Sequence, residues 1–303
     1  MLKVADICPL AFNPIKDKFA RDHCYIQKFY TTDKILIQLI RDGGVVMFPT
    51  AQLNNLSTGT STSISFSHSS INSYTNLFYV NISGLSDGIY SISISGISIN
   101  DVFYSSVESE PFEVSSNSNL LNETVLLRCS HYDNNSTVDN IWWIGNTQQF
   151  ISFRIEAGFK PSGITQNVDN EFFRDQNQSI TQLYAVPYET LSLSIGNASG
   201  VPYWVGRLIN RMLCVSYFEV EGVKYVRSEN SIPEATLVNE TGQLFWYTQS
   251  LELSNNDIAG IGGTPQAADP SNVLATSLNG LKDGEILRYS GDKSAFINTD
   301  TID

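Results

Sequence analysis

Apolar and polar positions alternate along most of this chain in short runs that end in turn residues. Tyr90-Ser91-Ile92-Ser93-Ile94 sets large apolar residues against serine after the turn signal Asp87-Gly88. A strand with one buried face needs that pattern, because successive side chains point to opposite sides of a sheet. Similar runs predict strands over 35–40, 45–48, 63–66, 77–82, 103–105 and 111–114. Together they predict a β-domain over 31–115. Residues 1–30 carry Pro9 and Pro14 and few clear strands, so they are expected to form an arm lying along a neighbouring surface.

A polar stretch over 115–119 leads into a second β-rich domain, 120–253, with strands over 123–129, 149–155, 181–186 and 189–195. Glu221-Gly222 reads as a hairpin turn between strands 215–220 and 223–227, and strands over 244–248 and 251–253 close the domain. One helix interrupts this order. Val205, Leu208, Ile209, Met212 and Leu213 form a single stripe at helical spacing, with Arg207, Asn210 and Arg211 opposite and Pro202 placed to start the turn. The fold class is therefore mainly β: two tandem β-domains, with one amphipathic helix in the second and a C-terminal extension. The strand spacing of the first domain predicts a β-sandwich. Its segment 85–94, with Tyr90 just after Asp-Gly, resembles the corner of an immunoglobulin-like or fibronectin-III-like domain, where such a tyrosine packs and hydrogen-bonds.

Residues 254–277, rich in Asn, Gly, Ser and Pro, lack alternation and read as a flexible linker where limited proteolysis is expected to cut first. Beyond it, Leu278-Asn279-Gly280-Leu281-Lys282-Asp283-Gly284-Glu285-Ile286-Leu287-Arg288-Tyr289 and Ser294-Ala295-Phe296-Ile297-Asn298 predict a small hairpin over 278–303. The cassette resembles one that repeats in tail-fibre and baseplate proteins of tailed bacteriophages, with Phe296 where a tryptophan is usual. Its apolar residues, Leu278, Leu281, Ile286, Leu287, Phe296 and Ile297, are too few for a self-contained core. Copies gathered about an axis, as a trimer or ring, would pool them and cover their strand edges. A second segment, Tyr188 to Glu229, resembles tail or baseplate-associated proteins of phages and prophages of Bacteroides-like hosts. The two resemblances imply a virion structural protein of the tail or fibre-attachment region, with itself and other virion proteins as partners.

Composition agrees with that expectation. Only 16% of the 303 residues are charged, against 42% hydrophobic, and the net charge is −13. So acidic a chain, without a basic cluster, offers no footprint for nucleic acid or an anionic membrane. No apolar run has the length of a membrane span, and the first residues lack the apolar core of a signal peptide, so synthesis in the host cytoplasm is expected.

Catalytic chemistry finds little support. His23, His68 and His131 assemble into no nucleophile–base set, and Gly260-Ile261-Gly262-Gly263 lacks the strand and lysine of a phosphate loop. Cys8, Cys24, Cys129 and Cys214 have no zinc spacing, and a Cys8–Cys24 disulfide stays open. No cofactor, metal or catalytic residue is expected. The acid groupings Glu108/Glu110, Glu219/Glu221 and Asp169/Glu171/Asp175 leave a third reading, a polysaccharide depolymerase. Asp133-Asn134-Asn135 and Asp169-Asn170-Glu171 read as solvated turns rather than calcium loops. The second reading is a carbohydrate-binding host-recognition module. Trp142, Trp143, Trp204 and Trp246 are its candidate glycan contacts and, equally, candidate interface residues.

Overall fold

The computed structural model describes residues 2–12, 25–43, 48–99, 102–131, 148–196, 199–239 and 243–254, together with the backbone pairing of 286–290 and 295–299. Among the described residues the protein is mainly β, with 60% of them in strands and two α-helices. Ten strands form a first sheet: β1 (Leu2–Val4), β2 (Gln27–Tyr30), β3 (Ile35–Asp42), β4 (Ala51–Asn55), β5 (Thr60–Ile64), β6 (Ser67–Ser70), β7 (Thr75–Ile82), β8 (Gly88–Ile99), β9 (Val102–Glu108) and β10 (Phe112–Ser115). Their order is β2-β10-β8-β1-β3-β7-β6, with β4 and β9 also on β8 and β5 on β4. The alternation read in the sequence does the organising. Tyr90, Ile92 and Ile94 of β8 are buried with Ile35, Ile37 and Leu39 of β3 and Phe112 of β10 in one core. Tyr90 stacks on Phe112 at 5.9 Å, and its hydroxyl donates to the Ser86 carbonyl at 2.9 Å.

The amino-terminal residues depart from the expected arm. Lys3 pairs with Ile40 and with Ser98, and Phe29 pairs with Val114, so β1 and β2 are members of the first sheet. Burial of Leu2, Ile7, Leu10 and Phe29 supplies the reason. A strand of three or four residues carries too little alternation to announce itself. Residues 13–24, with Pro14 and Cys24, and residues 44–47 lie outside the described residues.

The second sheet follows a short helix, α1 (Asn119–Glu123), which begins where the polar stretch over 115–119 ends; Leu120 is its buried residue. The strands are β11 (Val125–Ser130), β12 (Ile151–Ile155), β13 (Ala157–Phe159), β14 (Thr165–Arg174), β15 (Ile180–Ile195), β16 (Val201–Pro202), β17 (Tyr217–Val220), β18 (Val223–Arg227), β19 (Glu234–Asn239) and β20 (Leu244–Leu253). They run in the order β12-β11-β17-β18-β20-β15-β13, with β14 on β15 and both β16 and β19 on β20. Helix α2 (Tyr203–Met212) starts from Pro202 and buries Val205, Leu208, Ile209 and Met212, the expected stripe. Its Gly206 lies against the Tyr247 ring, where a Cβ would collide. The β17–β18 turn is Glu221-Gly222, with φ of 49° and 80°. Positive φ at both central residues matches the twist of a two-residue hairpin.

The two cores meet at β3. Ile35, Ile37 and Leu39 face the first, whereas Leu36 joins the second with Ile7. A buried bidentate pair joins the sheets as well: Arg154 of β12 donates to Asp33 Oδ2 at 2.6 Å and to Oδ1 at 3.0 Å. Both sheets, apart from the far part of the β14–β15 hairpin, therefore belong to one compact unit, Met1–Asn167 with Tyr188–Asn255.

A second unit comprises Val168–Pro187 and Asn256–Asp303. Its first segment is the far part of the β14–β15 hairpin, closed where the Asp175 N–H donates to the Ser179 carbonyl at 3.0 Å. Its second segment holds β21 (Ile286–Ser290) and β22 (Ala295–Thr299), paired antiparallel from Ile286↔Thr299 to Ser290↔Ala295.

Candidate functional site

A cavity lies in the first unit, between the amino-terminal segment and α2. It measures about 480 Å³ and is open to solvent. Apolar walls come from Leu10, Phe12, Ile99, Trp204 and Leu208, and charge comes from Lys3, Asp6, Arg207 and Arg211. The helix stripe explains why these side chains gather. Burial of Val205, Leu208, Ile209 and Met212 against the sheet turns Arg207 and Arg211, one helical turn apart, toward the other side. Arg211 reaches Asp6 at 3.6 Å. Exposed Arg207 has no hydrogen bond or ion pair among the described residues. Three cations against one carboxylate make this a positive spot on a chain of net charge −13.

Cys8 also lines the cavity as a free thiol. Burial pushes it up to about 12, although a hydrogen bond with the Leu10 backbone works the other way, so it stays protonated and unreactive near neutral pH. Cys129 is buried and Cys214 is exposed, and neither forms a disulfide among the described residues. Among the described residues no group of three or more His, Cys, Asp or Glu is arranged to hold a metal ion.

Several of the acids singled out from sequence have hydrogen-bond partners in the fold. Glu219 is buried, accepts from Arg128 at 2.6 Å and from the Tyr217 hydroxyl at 2.6 Å, and thereby raises the Tyr217 phenol. Glu221 accepts from the Leu126 N–H, and Glu108 from the Ser91 hydroxyl. Asp169 and Glu171 are not turn residues; they lie on β14, which the sequence pattern misses, and Asp175 caps the Ser179 N–H at 2.8 Å in the turn.

Of the four tryptophans, Trp142 and Trp143 lie outside the described residues. Trp204 is half-buried against the second core, edge-on to Phe153 at 6.0 Å, and its remaining surface lines the cavity. Trp246, on β20, keeps 39% of its surface exposed, with the Lys160 ammonium 5.5 Å from its ring centroid. Of the cassette residues, Ile286 and Leu287 fall on β21 and Phe296 and Ile297 on β22, with Leu287 opposite Asn298 and Tyr289 opposite Phe296. Leu278 and Leu281 lie outside the described residues.

Comparison with known proteins leaves the site to stand on its own geometry: no family profile matches the chain, and no curated protein matches it. No helix among the described residues is long and apolar enough to cross a membrane.

Sequence reading missed the cavity and the β14–β15 hairpin as candidate surfaces. Arg207 and Arg211 at i and i+4 on the polar side of α2 were the available signal. Lys3 and Phe12 reach the same place only through the fold.

Proposed function

We propose that this chain is a non-enzymatic structural component of a tailed-phage virion, a tail, baseplate or fibre-attachment protein that serves particle assembly and host attachment. The C-terminal cassette carries the reading. The residues that resemble a repeated tail-fibre cassette pair as an antiparallel hairpin, with Ile286–Ser290 against Ala295–Thr299. A lone hairpin of this size is marginal in water, so clustering of copies about an axis is the expected state. The low charge fraction and the β-rich architecture with free thiols agree with a protein made in a cell and used in a particle.

Gradient-purified particles from a producing host provide the test. An antiserum against the chain should detect it in the tailed-particle band and label the tail region in electron micrographs. Detection only in particle-free fractions overturns the reading. Trp246 is the described position at which the carbohydrate alternative is tested. Binding on a glycan array that disappears in Trp246→Ala would favour that alternative, and a blank array favours the structural role.

A further inference from the structure

The hairpin Val168–Pro187 exposes more apolar surface than a two-stranded ribbon tolerates. Phe172, Phe173, Ile180, Leu183, Tyr184 and Val186 are all exposed, Phe173 and Leu183 at 57% each. Isolated two-stranded ribbons are marginal in water, and this many exposed large apolar side chains on one ribbon mark an interaction surface. The ribbon is also acidic: it carries Asp169, Glu171 and Asp175 against Arg174 alone. Among the described residues none of the three acids has an ion pair. Asp169 accepts from the Tyr184 hydroxyl at 3.5 Å, and Asp175 is engaged by its own turn.

Charge decides what covers it. A twofold pairing of the ribbon with its own copy would set acid against acid, which is unfavourable across paired strands. The cover must be apolar and basic. Every copy of the chain carries such a surface in the cavity walled by Phe12, Ile99, Trp204 and Leu208 and edged by Arg207, whose guanidinium has no partner among the described residues. At about 480 Å³ it has room for aromatic side chains such as Phe172 or Phe173.

We propose that the acidic β14–β15 ribbon of one copy docks into the basic cavity beside α2 of a second copy. Donor and acceptor are different surfaces, so the contact is head-to-tail and builds a ring, or a filament if the rotation does not close. This contact is separate from clustering through the cassette, and it does not rest on the virion reading.

The test uses the full chain and a charge exchange, read as mass by light scattering. Arg207→Glu alone, and Asp169→Lys with Glu171→Lys, should each raise the dissociation constant about tenfold or more, because like charges then face each other. Combining the two sets in one chain should restore the mass. Circular dichroism confirms that the β-spectrum is kept. If the lysine variant does not fold, Phe172→Ser with Phe173→Ser replaces it and should dissociate the assembly equally. The proposal is overturned if either single-sided variant leaves the mass unchanged, or if the exchanged chain fails to reassemble. Cassette clustering survives all these substitutions, so loss of this contact and failure of the proposed function are read separately.

Discussion

Arg154 keeps only 5% of its side chain exposed, and the carboxylate it grips, Asp33, keeps 4% and precedes it by 121 residues. Asp33 also accepts from the Tyr30 N–H at 2.8 Å, and Arg154 donates to Thr124 at 3.3 Å. Removing one member of such a pair strands the other charge away from water. Asp33→Ala is expected to cost about 3–5 kcal/mol, seen as a lower urea midpoint; a change below about 1 kcal/mol would mean that water reaches the guanidinium. Titration gives a second handle. Burial, with a further contribution from Tyr203, holds the Tyr247 phenol up at about 12, and burial holds Cys8 at about 12 against an ordinary 9. Both keep in the folded chain a proton that the unfolded chain releases. The stability they contribute is therefore whole below about pH 9 and is lost as pH rises toward 12. Urea midpoints should fall across that window, and Tyr247→Phe should flatten the part between 10 and 12. Equal slopes in both proteins would exclude Tyr247 as the cause. Tyr90 was legible in sequence because its partner, Ser86, lies four residues away. Arg154 was not, since it reads as one more polar position on a strand.

At the scale of elements, helix α2 and the Glu221-Gly222 hairpin followed from periodicity and turn chemistry, which are local. Strand β15 did not. The sequence pattern divides it into strands over 181–186 and 189–195, yet one strand runs through Pro187 between them, because its exposed half does not require a ladder bond at every residue. Strand β14 was invisible because it is exposed along nearly its whole length, and two-sided exposure leaves no alternation to read. Two glycines separate two causes of strain. Gly222, at φ 80°, has open space around a would-be Cβ, so Gly222→Ala is expected to cost about 1 kcal/mol from backbone conformation alone. Gly206 has helical geometry but meets the Tyr247 ring. Gly206→Ala should cost about 1–3 kcal/mol through overpacking, and Tyr247→Leu in the same chain should recover part of it. If Tyr247→Leu recovers as much from Gly222→Ala, the assignment of causes is wrong. Thermal denaturation of the four chains reads this out.

For the whole molecule, the strand that decides the behaviour is β3. The run Ile35-Leu36-Ile37-Gln38-Leu39-Ile40 is nearly unbroken in apolar character, the pattern two-sided burial requires. That signal was present in the sequence, but the identity of the second covering surface was not, since it comes from residues beyond 120. Because both cores use β3, the sheets should unfold together. Urea curves followed by tryptophan fluorescence, to which Trp204 beside the second core and Trp246 on β20 contribute, and by far-ultraviolet circular dichroism should coincide. Two separated transitions would show that the cores are independent.

Sharing β3 also sets the timing of synthesis. While the chain emerges from a ribosome, Asp33 waits for a partner that appears only once Arg154 is made, 121 residues later. At typical elongation rates the delay is on the order of 6–24 s. Throughout it the first sheet presents an uncovered apolar face and an unpaired carboxylate. Chaperone dependence of the nascent chain should therefore peak before residue 154 and fall once the second sheet closes over β3.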